Sequence, residues 1–177
     1  MKKNKLLILV GLLVLVSIIF LLFTSQQSEE PTFSSIPIEE KNSIINHSMP
    51  SYYDTILHVG LGLSGIEGVT ITIEQLSENV KENFDGELNA HIRYFEGKFY
   101  LFIDQLNRKN AITVISHEII HIKQYLDGSF QYDNGNIIWN GGEYLLEDIN
   151  YNDRPWEDQA FQMQGQLGSQ ISEIVYQ

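Results

Sequence analysis

The sequence predicts an α+β domain carried behind an N-terminal transmembrane helix. Three observations lead there. Residues 6–23 are apolar apart from Gly11 and Ser17. Between residues 69 and 104, β-branched and aromatic residues gather in short runs, partly with the two-residue alternation of strands. Beyond residue 107 the apolar spacing becomes helical, gives way to a second short β-rich stretch, and becomes helical again. The order strands, helix, hairpin, helix belongs to an α+β domain.

The apolar run comes first. Eighteen residues rising about 1.5 Å each cover about 27 Å, close to a hydrocarbon core of about 30 Å. Lys2, Lys3 and Lys5 precede it and are expected to stay cytoplasmic, so the rest of the chain is exported. A cleaved signal peptide has a shorter apolar core and a small-residue cleavage site, and residues 20–24 offer none. The expected organisation is therefore a basic tip (1–5), an anchor (6–23), a stalk (24–40) with Pro31 and Pro37 among Ser, Gln and Glu, and a folded domain (41–177). Either reading of the run places that domain outside the cytoplasm, secreted if the segment is cleaved.

The folded part is strongly acidic. The 177-residue chain has 11 basic and 23 acidic residues, a formal charge of -12. Three of the basic residues and none of the acids lie in the first 28 positions, so the remainder has 8 against 23, or -15. Nucleic acid is excluded as the main partner, because phosphate binding needs a basic face. The absence of Cys excludes disulfides, Cys-ligated zinc fingers and a thiol nucleophile.

Within the domain, residues 43–60 mix apolar and polar types on either side of Pro50 and predict short helical pieces. Residues 69–73 alternate and predict a strand. Residues 88–95 and 98–104 flank Glu96-Gly97 and predict a hairpin. Asn107 or Asn110 can cap a helix that continues to Leu126 and stops at Asp127-Gly128. Residues 130–139 predict a second hairpin turning at 133–135, and residues 141–153 read as irregular. Arg154-Pro155 opens a last helix, with Trp156, Ala160, Met163, Leu167, Ile171 and Ile174 as its apolar stripe.

His117-Glu118-Ile119-Ile120-His121 carries the chemistry. Two His at i and i+4 project from one helix face, about one turn apart, and can share a single Zn²⁺. Glu118 lies about 100° round the helix from His117, outside that ligand pair but within reach of a water beside the metal. This is the general-base position of an H-E-x-x-H metalloprotease. Catalysis needs a third protein ligand and an open position. No His follows His121, so the third ligand is expected to be a carboxylate from Glu143, Glu147, Asp148, Asp153, Glu157 or Asp158. Glu157 is preferred. It stands in the first turn of the last helix beside the apolar stripe, where an unpaired carboxylate is costly. Small Ala160, one turn on, allows close approach to the motif helix.

Tyr151, Tyr144 and His91 are candidates to stabilise a developing oxyanion, with Tyr151 first because it stands near Glu157. Arg154 is expected as a structural ion-pair partner, for example of an acid on the first helix, rather than as a substrate clamp. The apolar side chains of the strand at 98–104 favour a core strand; as an edge it could bind an extended peptide beside the site.

His117-Glu-x-x-His121 followed by Glu157-x-x-Ala160 resembles the gluzincin-type pattern of small bacterial metallopeptidases, the minigluzincins and ImmA-like proteins. Tyr151-x-x-Arg154-Pro155-Trp156-Glu157-x-x-Ala160 is similar to a Pro-aromatic-Glu-x-x-Ala element of compact H-E-x-x-H domains. The resemblance covers residues 98–165. It implies a zincin-like domain of antiparallel strands, a motif helix and a C-terminal helix. It also implies one Zn²⁺ at His117, His121 and Glu157, Glu118 as general base and acid, and a peptide or protein substrate. The competing expectation is a cell-envelope binding or assembly module that keeps the metal for stability and turns nothing over.

Overall fold

Strand β2 (Thr70–Gln75) is the centre of the domain, and its alternation explains how the layers form. Ile71 and Ile73 point to one face and are fully buried there, with Phe99, Leu101 and Ile103 of β4 (Lys98–Ile103) alongside. The structure, a computed structural model, describes residues 42–82, 89–133 and 135–177. The expected anchor at 6–23 and stalk at 24–40 lie outside the described residues, and so does the start of the strand expected from residue 88. Among the described residues no helix is long and apolar enough to cross a membrane.

The fold is mixed α+β. One four-stranded sheet has the order β1-β2-β4-β3, where β1 is Ser43–Asn46 and β3 is Ala90–Phe95. Strands β1, β2 and β4 run parallel, and only β3 is antiparallel. The expectation of antiparallel strands is corrected by this, since residue alternation records which face a side chain takes and not which way its neighbour runs. Residues 43–46, expected as helix, are instead the β1 edge. Helix α1 (Tyr52–Leu63) starts beyond Pro50, and a short α2 (Glu78–Glu82) follows β2.

The β3–β4 hairpin forms as expected, with Glu96 and Gly97 both at positive φ (49° and 78°), the geometry of a two-residue turn matched to strand twist. Helix α3 (Arg108–Leu126) is capped by Asn107, whose side chain accepts from the Asn110 backbone N–H. Helix α4 (Pro155–Val175) begins on Pro155. A second sheet, β5 (Phe130–Asp133), β6 (Asn136–Trp139) and β7 (Gly142–Leu145), is antiparallel throughout; β7 occupies part of the stretch expected to be irregular.

Helices α1, α3 and α4 pack on one another, and the main core lies between them and the sheet. Close approach requires small residues at two crossings. A Cβ on Gly60 of α1 would lie 2.4 Å from Ile119 Cδ1 of α3 and 2.9 Å from Ile171 Cδ1 of α4. One on Gly168 of α4 would meet Ser116 Oγ at 3.3 Å. Ile119 carries no exposed surface and cannot turn aside into solvent. Gly60→Val is therefore expected to destabilise the domain by about 2 kcal/mol through overpacking. Urea unfolding should register it as a lower midpoint with unchanged slope. An unchanged midpoint would contradict this packing. In α4 the buried stripe is Trp156, Ala160, Leu167, Gly168 and Ile171, while Met163 and Ile174, expected inside, are exposed.

Candidate metal centre

Helices α3 and α4 meet over Ala160, and the contact brings three side chains to one point. His117 and His121 come from the second half of α3 and Glu157 from the first turn of α4. Their Nε2 atoms lie 3.0 Å apart. Glu157 Oε2 is 3.1 Å from His117 Nε2 and 3.4 Å from His121 Nε2. The group is nearly buried and could hold a metal ion. Of the six carboxylates considered from sequence, Glu157 is the one gathered with the two His; Glu143, Glu147, Asp148, Asp153 and Asp158 are all exposed.

The outward nitrogens are held by amides. His117 Nδ1 meets Gln164 Oε1 at 2.9 Å, and His121 Nδ1 meets Gln124 Oε1 at 2.8 Å. The Gln124 amide is oriented by its own Nε2, which donates to Trp156 O at 3.0 Å and to Gln159 Oε1 at 2.9 Å. With the Gln oxygen so directed, His121 Nδ1 must donate, and in the neutral ring Nε2 keeps the lone pair. Neutral imidazoles would thus aim two lone pairs and a carboxylate oxygen at the same place, a repulsive arrangement unless a cation or proton lies between them. Sequence reasoning missed both glutamines. Gln124 follows His121 by three and Gln164 follows Glu157 by seven, each on the ligand's own helix face.

Glu118 is 5 % exposed, and its Oε2 has no hydrogen-bond partner among the described residues. Burial pushes its carboxyl up; the neighbouring His121 and His117 charges and a backbone hydrogen bond from Ile92 of β3 act the other way. Tyr151, in a 3₁₀ turn (Tyr151–Asp153) ahead of α4, donates its phenol to Glu157 Oε2 at 2.9 Å. Burial, together with that carboxylate, drives its ionisation far above the usual phenol range. Phe161 of α4 covers the His117 ring at a centroid distance of 4.7 Å.

A cleft of about 160 Å³ opens beside the group, lined in part by Glu118, His121, Glu157, Tyr151, His91 and Arg154. Tyr144 packs instead on Trp156 in the second, smaller core. The edge of the sheet next to the site is β3. The strand at 98–104, considered as a peptide-binding edge, is the interior strand β4, paired on both sides. Arg154, expected in a structural ion pair, forms none among the described residues and lies over the Tyr151 ring at 5.3 Å.

Without metal, charge settles between the same residues. Burial works against a charged His121, but the Glu157 hydrogen bond and the Glu118 and Glu157 carboxylates outweigh it and push the imidazole from 6.5 up to about 9. Burial likewise acts to raise Glu157, and the His117 and His121 hydrogen bonds override it and hold the carboxyl well below its usual range. His91 goes the other way, from 6.5 down to about 4, through burial and then the Arg93 charge. The signs define the pH profile of the metal-free domain. The raised His121 contributes stability that is whole below pH 6.5 and lost as pH rises to about 9. The depressed His91 leaves the folded state short of protons, so stability is lost as pH falls from 6.5 to about 4. Urea unfolding of the chelated protein is expected to give a maximum near pH 6.5 that falls on both sides. A steady rise to pH 9 would contradict this charge arrangement.

Comparison with protein-family models, with curated proteins and with solved structures finds no match for the chain.

Proposed function

We propose that the chain is a zinc-dependent peptidase of the gluzincin type, with a zincin-like domain held outside the cytoplasmic membrane by residues 6–23. The observation that carries the reading is the convergence of His117, His121 and Glu157 beside a buried, half-unpaired Glu118.

The donor set fits the metal. Two imidazole nitrogens and one carboxylate oxygen suit Zn²⁺, whereas Ca²⁺ and Mg²⁺ prefer oxygen alone. Three corners of a tetrahedron with bonds of about 2.0–2.1 Å lie about 3.3–3.4 Å apart. The observed separations of 3.0, 3.1 and 3.4 Å are close to that. When bound, zinc would act as a Lewis acid on the scissile carbonyl and would acidify a water molecule.

The chain's own residues do the rest. Glu118 accepts the proton of the attacking water and delivers it to the leaving amine. Its burial favours that role, since a carboxylate shielded from solvent is a stronger base than an exposed one. Tyr151 stands in the cleft, and its single O–H, given to Glu157 in this arrangement, would have to turn from that carboxylate to support a developing oxyanion. Gln124 and Gln164 hold the two imidazoles with Nε2 inward. The Ile92 backbone bond to Glu118 uses the side of β3 turned away from β4, so the unpaired edge of the sheet runs along the cleft. An extended peptide added to that edge would bring its backbone past Glu118.

The experiment is hydrolysis of mixed-sequence peptides by the full chain, followed by mass spectrometry of the products. Cleavage that stops with a chelator and returns with zinc is the expected result. No cleavage of any peptide by protein carrying one zinc would overturn the enzymatic reading.

A further inference from the structure

Two polar side chains in the cleft carry buried nitrogens with no hydrogen-bond partner among the described residues, and neither is used by the chemistry above. Arg154 stands at the start of α4, three residues before Glu157. Its Nε is buried and has no acceptor, and the guanidinium forms no ion pair among the described residues. Its placement over the Tyr151 ring supplies a cation–π contact, which does not occupy the Nε–H donor. His91 enters from the opposite element, β3. Its ring stacks on Phe102 at 4.8 Å, and both nitrogens are buried with no hydrogen-bond partner among the described residues. Burial keeps the ring neutral, so it offers one N–H. Leaving such donors unpaired in a folded protein costs about 1–3 kcal/mol each, more for a charged one. Both line the cleft that holds Glu118, His121 and Glu157.

Charge points to what they would meet. Glu118 and Glu157 offset a bound dication, and Arg154 then leaves the cleft with a net positive charge. The domain around it is strongly negative, with 8 basic against 19 acidic residues over 41–177, or -11. A local cation in such a field, in no ion pair among the described residues although acids are abundant, suits an anionic group brought by the ligand. A carboxylate matches a guanidinium fork and has a second oxygen for a nearby N–H. The remaining lining is apolar, with Ala90 and Ile92 beside the aromatic Tyr125, Phe130 and Trp156, and the cleft is only about 160 Å³, enough for a single side chain or chain end.

We propose that Arg154 and His91 form a carboxylate subsite, so that the substrates are peptides bearing a carboxylate next to the scissile bond. The proposal rests on the peptidase reading for the bond that is cut. That carboxylate is either a free C-terminus or an Asp or Glu side chain.

The test uses zinc-loaded full-length wild type, Arg154→Gln and Arg154→Lys, with equal zinc content as the check on folding. Each is given mixed-sequence octapeptides in three forms: free C-terminus, amidated, and amidated without Asp or Glu. Mass spectrometry reads both the products and the peptides retained on the protein. Wild type is expected to favour carboxylate-bearing forms at least about 10-fold. Arg154→Gln should abolish the preference and Arg154→Lys should keep part of it. A preference for the free C-terminus, with release of end residues, assigns the terminal carboxylate. Preference within the amidated forms, with cuts beside Asp or Glu, assigns the side chain. Equal use of all three forms by wild type, or a preference surviving in Arg154→Gln, overturns the subsite while leaving the peptidase intact. Retention that depends on Arg154 without any cleavage supports the subsite and removes the peptidase. Neither cleavage nor retention overturns both.

Discussion

Glu118→Gln is expected to bind zinc as the wild type does and to lose about 10³-fold in kcat/KM, within the range usual for removal of a general base. The substitution keeps the shape and one oxygen. It removes only the ability to take a proton. The site argues that little else changes. Glu118 is buried with an unpaired oxygen and is not among the three converging ligand atoms. A neutral amide in that position is less costly to bury than a carboxylate, so thermal stability should hold or rise. The measurement is steady-state hydrolysis alongside zinc content and melting temperature. The competing idea, a metal-stabilised module that turns nothing over, expects Glu118→Gln to alter neither binding nor phenotype. Retained activity within about threefold would remove Glu118 from the chemistry.

Stripping the metal is expected to abolish activity reversibly and to destabilise the domain substantially. At free zinc a thousandfold above its Kd, binding adds about 4 kcal/mol to stability. For a domain of this size that corresponds to about 15 °C in Tm. The physical source is the crowding of His117, His121 and Glu157 between α3 and α4. With metal they cross-link the two helices. Without it His121 must hold a proton against Glu157, an arrangement that weakens above pH 6.5 as the imidazole titrates toward 9. The Tm difference between loaded and chelated protein should therefore widen from pH 6.5 to 9. Glu157→Ala is expected to remove most of the difference, because two imidazoles on α3 alone no longer tie it to α4. An equal Tm with and without metal at every pH would contradict a metal linking these helices.

How much of this could be read from the chain depended on how local each feature is. The motif helix was legible because Asn107, the i and i+4 His pair and Asp127-Gly128 all lie along one segment. Glu157 was legible from Pro155 and from Ala160, which fixed the start of α4 and the side it could bring close. Strand β1 was not, because it is four residues long and its partner β2 begins 27 residues later, with no turn between to announce the pairing. For the same reason nothing in the alternation of 69–73 or 98–104 told that β1, β2 and β4 run parallel. The apolar side chains of 98–104 favoured a core strand, and β4 is one; what the sequence did not show is that β3 is the edge beside the site. Buried Phe99, Leu101 and Ile103 mark an interior strand, and the polar His91 and Arg93 mark β3 as the edge. Arg154 was assigned to an ion pair on charge alone, and only packing reveals that no acid among the described residues reaches it.

The central claim is that His117, His121 and Glu157 are the protein ligands of one zinc ion. Zinc content of the purified full-length chain, measured by mass spectrometry after dialysis against zinc-containing buffer, tests it most directly. The account predicts one zinc per chain in the wild type, one in Glu118→Gln, and loss of bound zinc in His117→Ala and in His121→Ala. Wild-type protein that is folded and metal-free under those conditions, or His variants that keep their zinc, would contradict it.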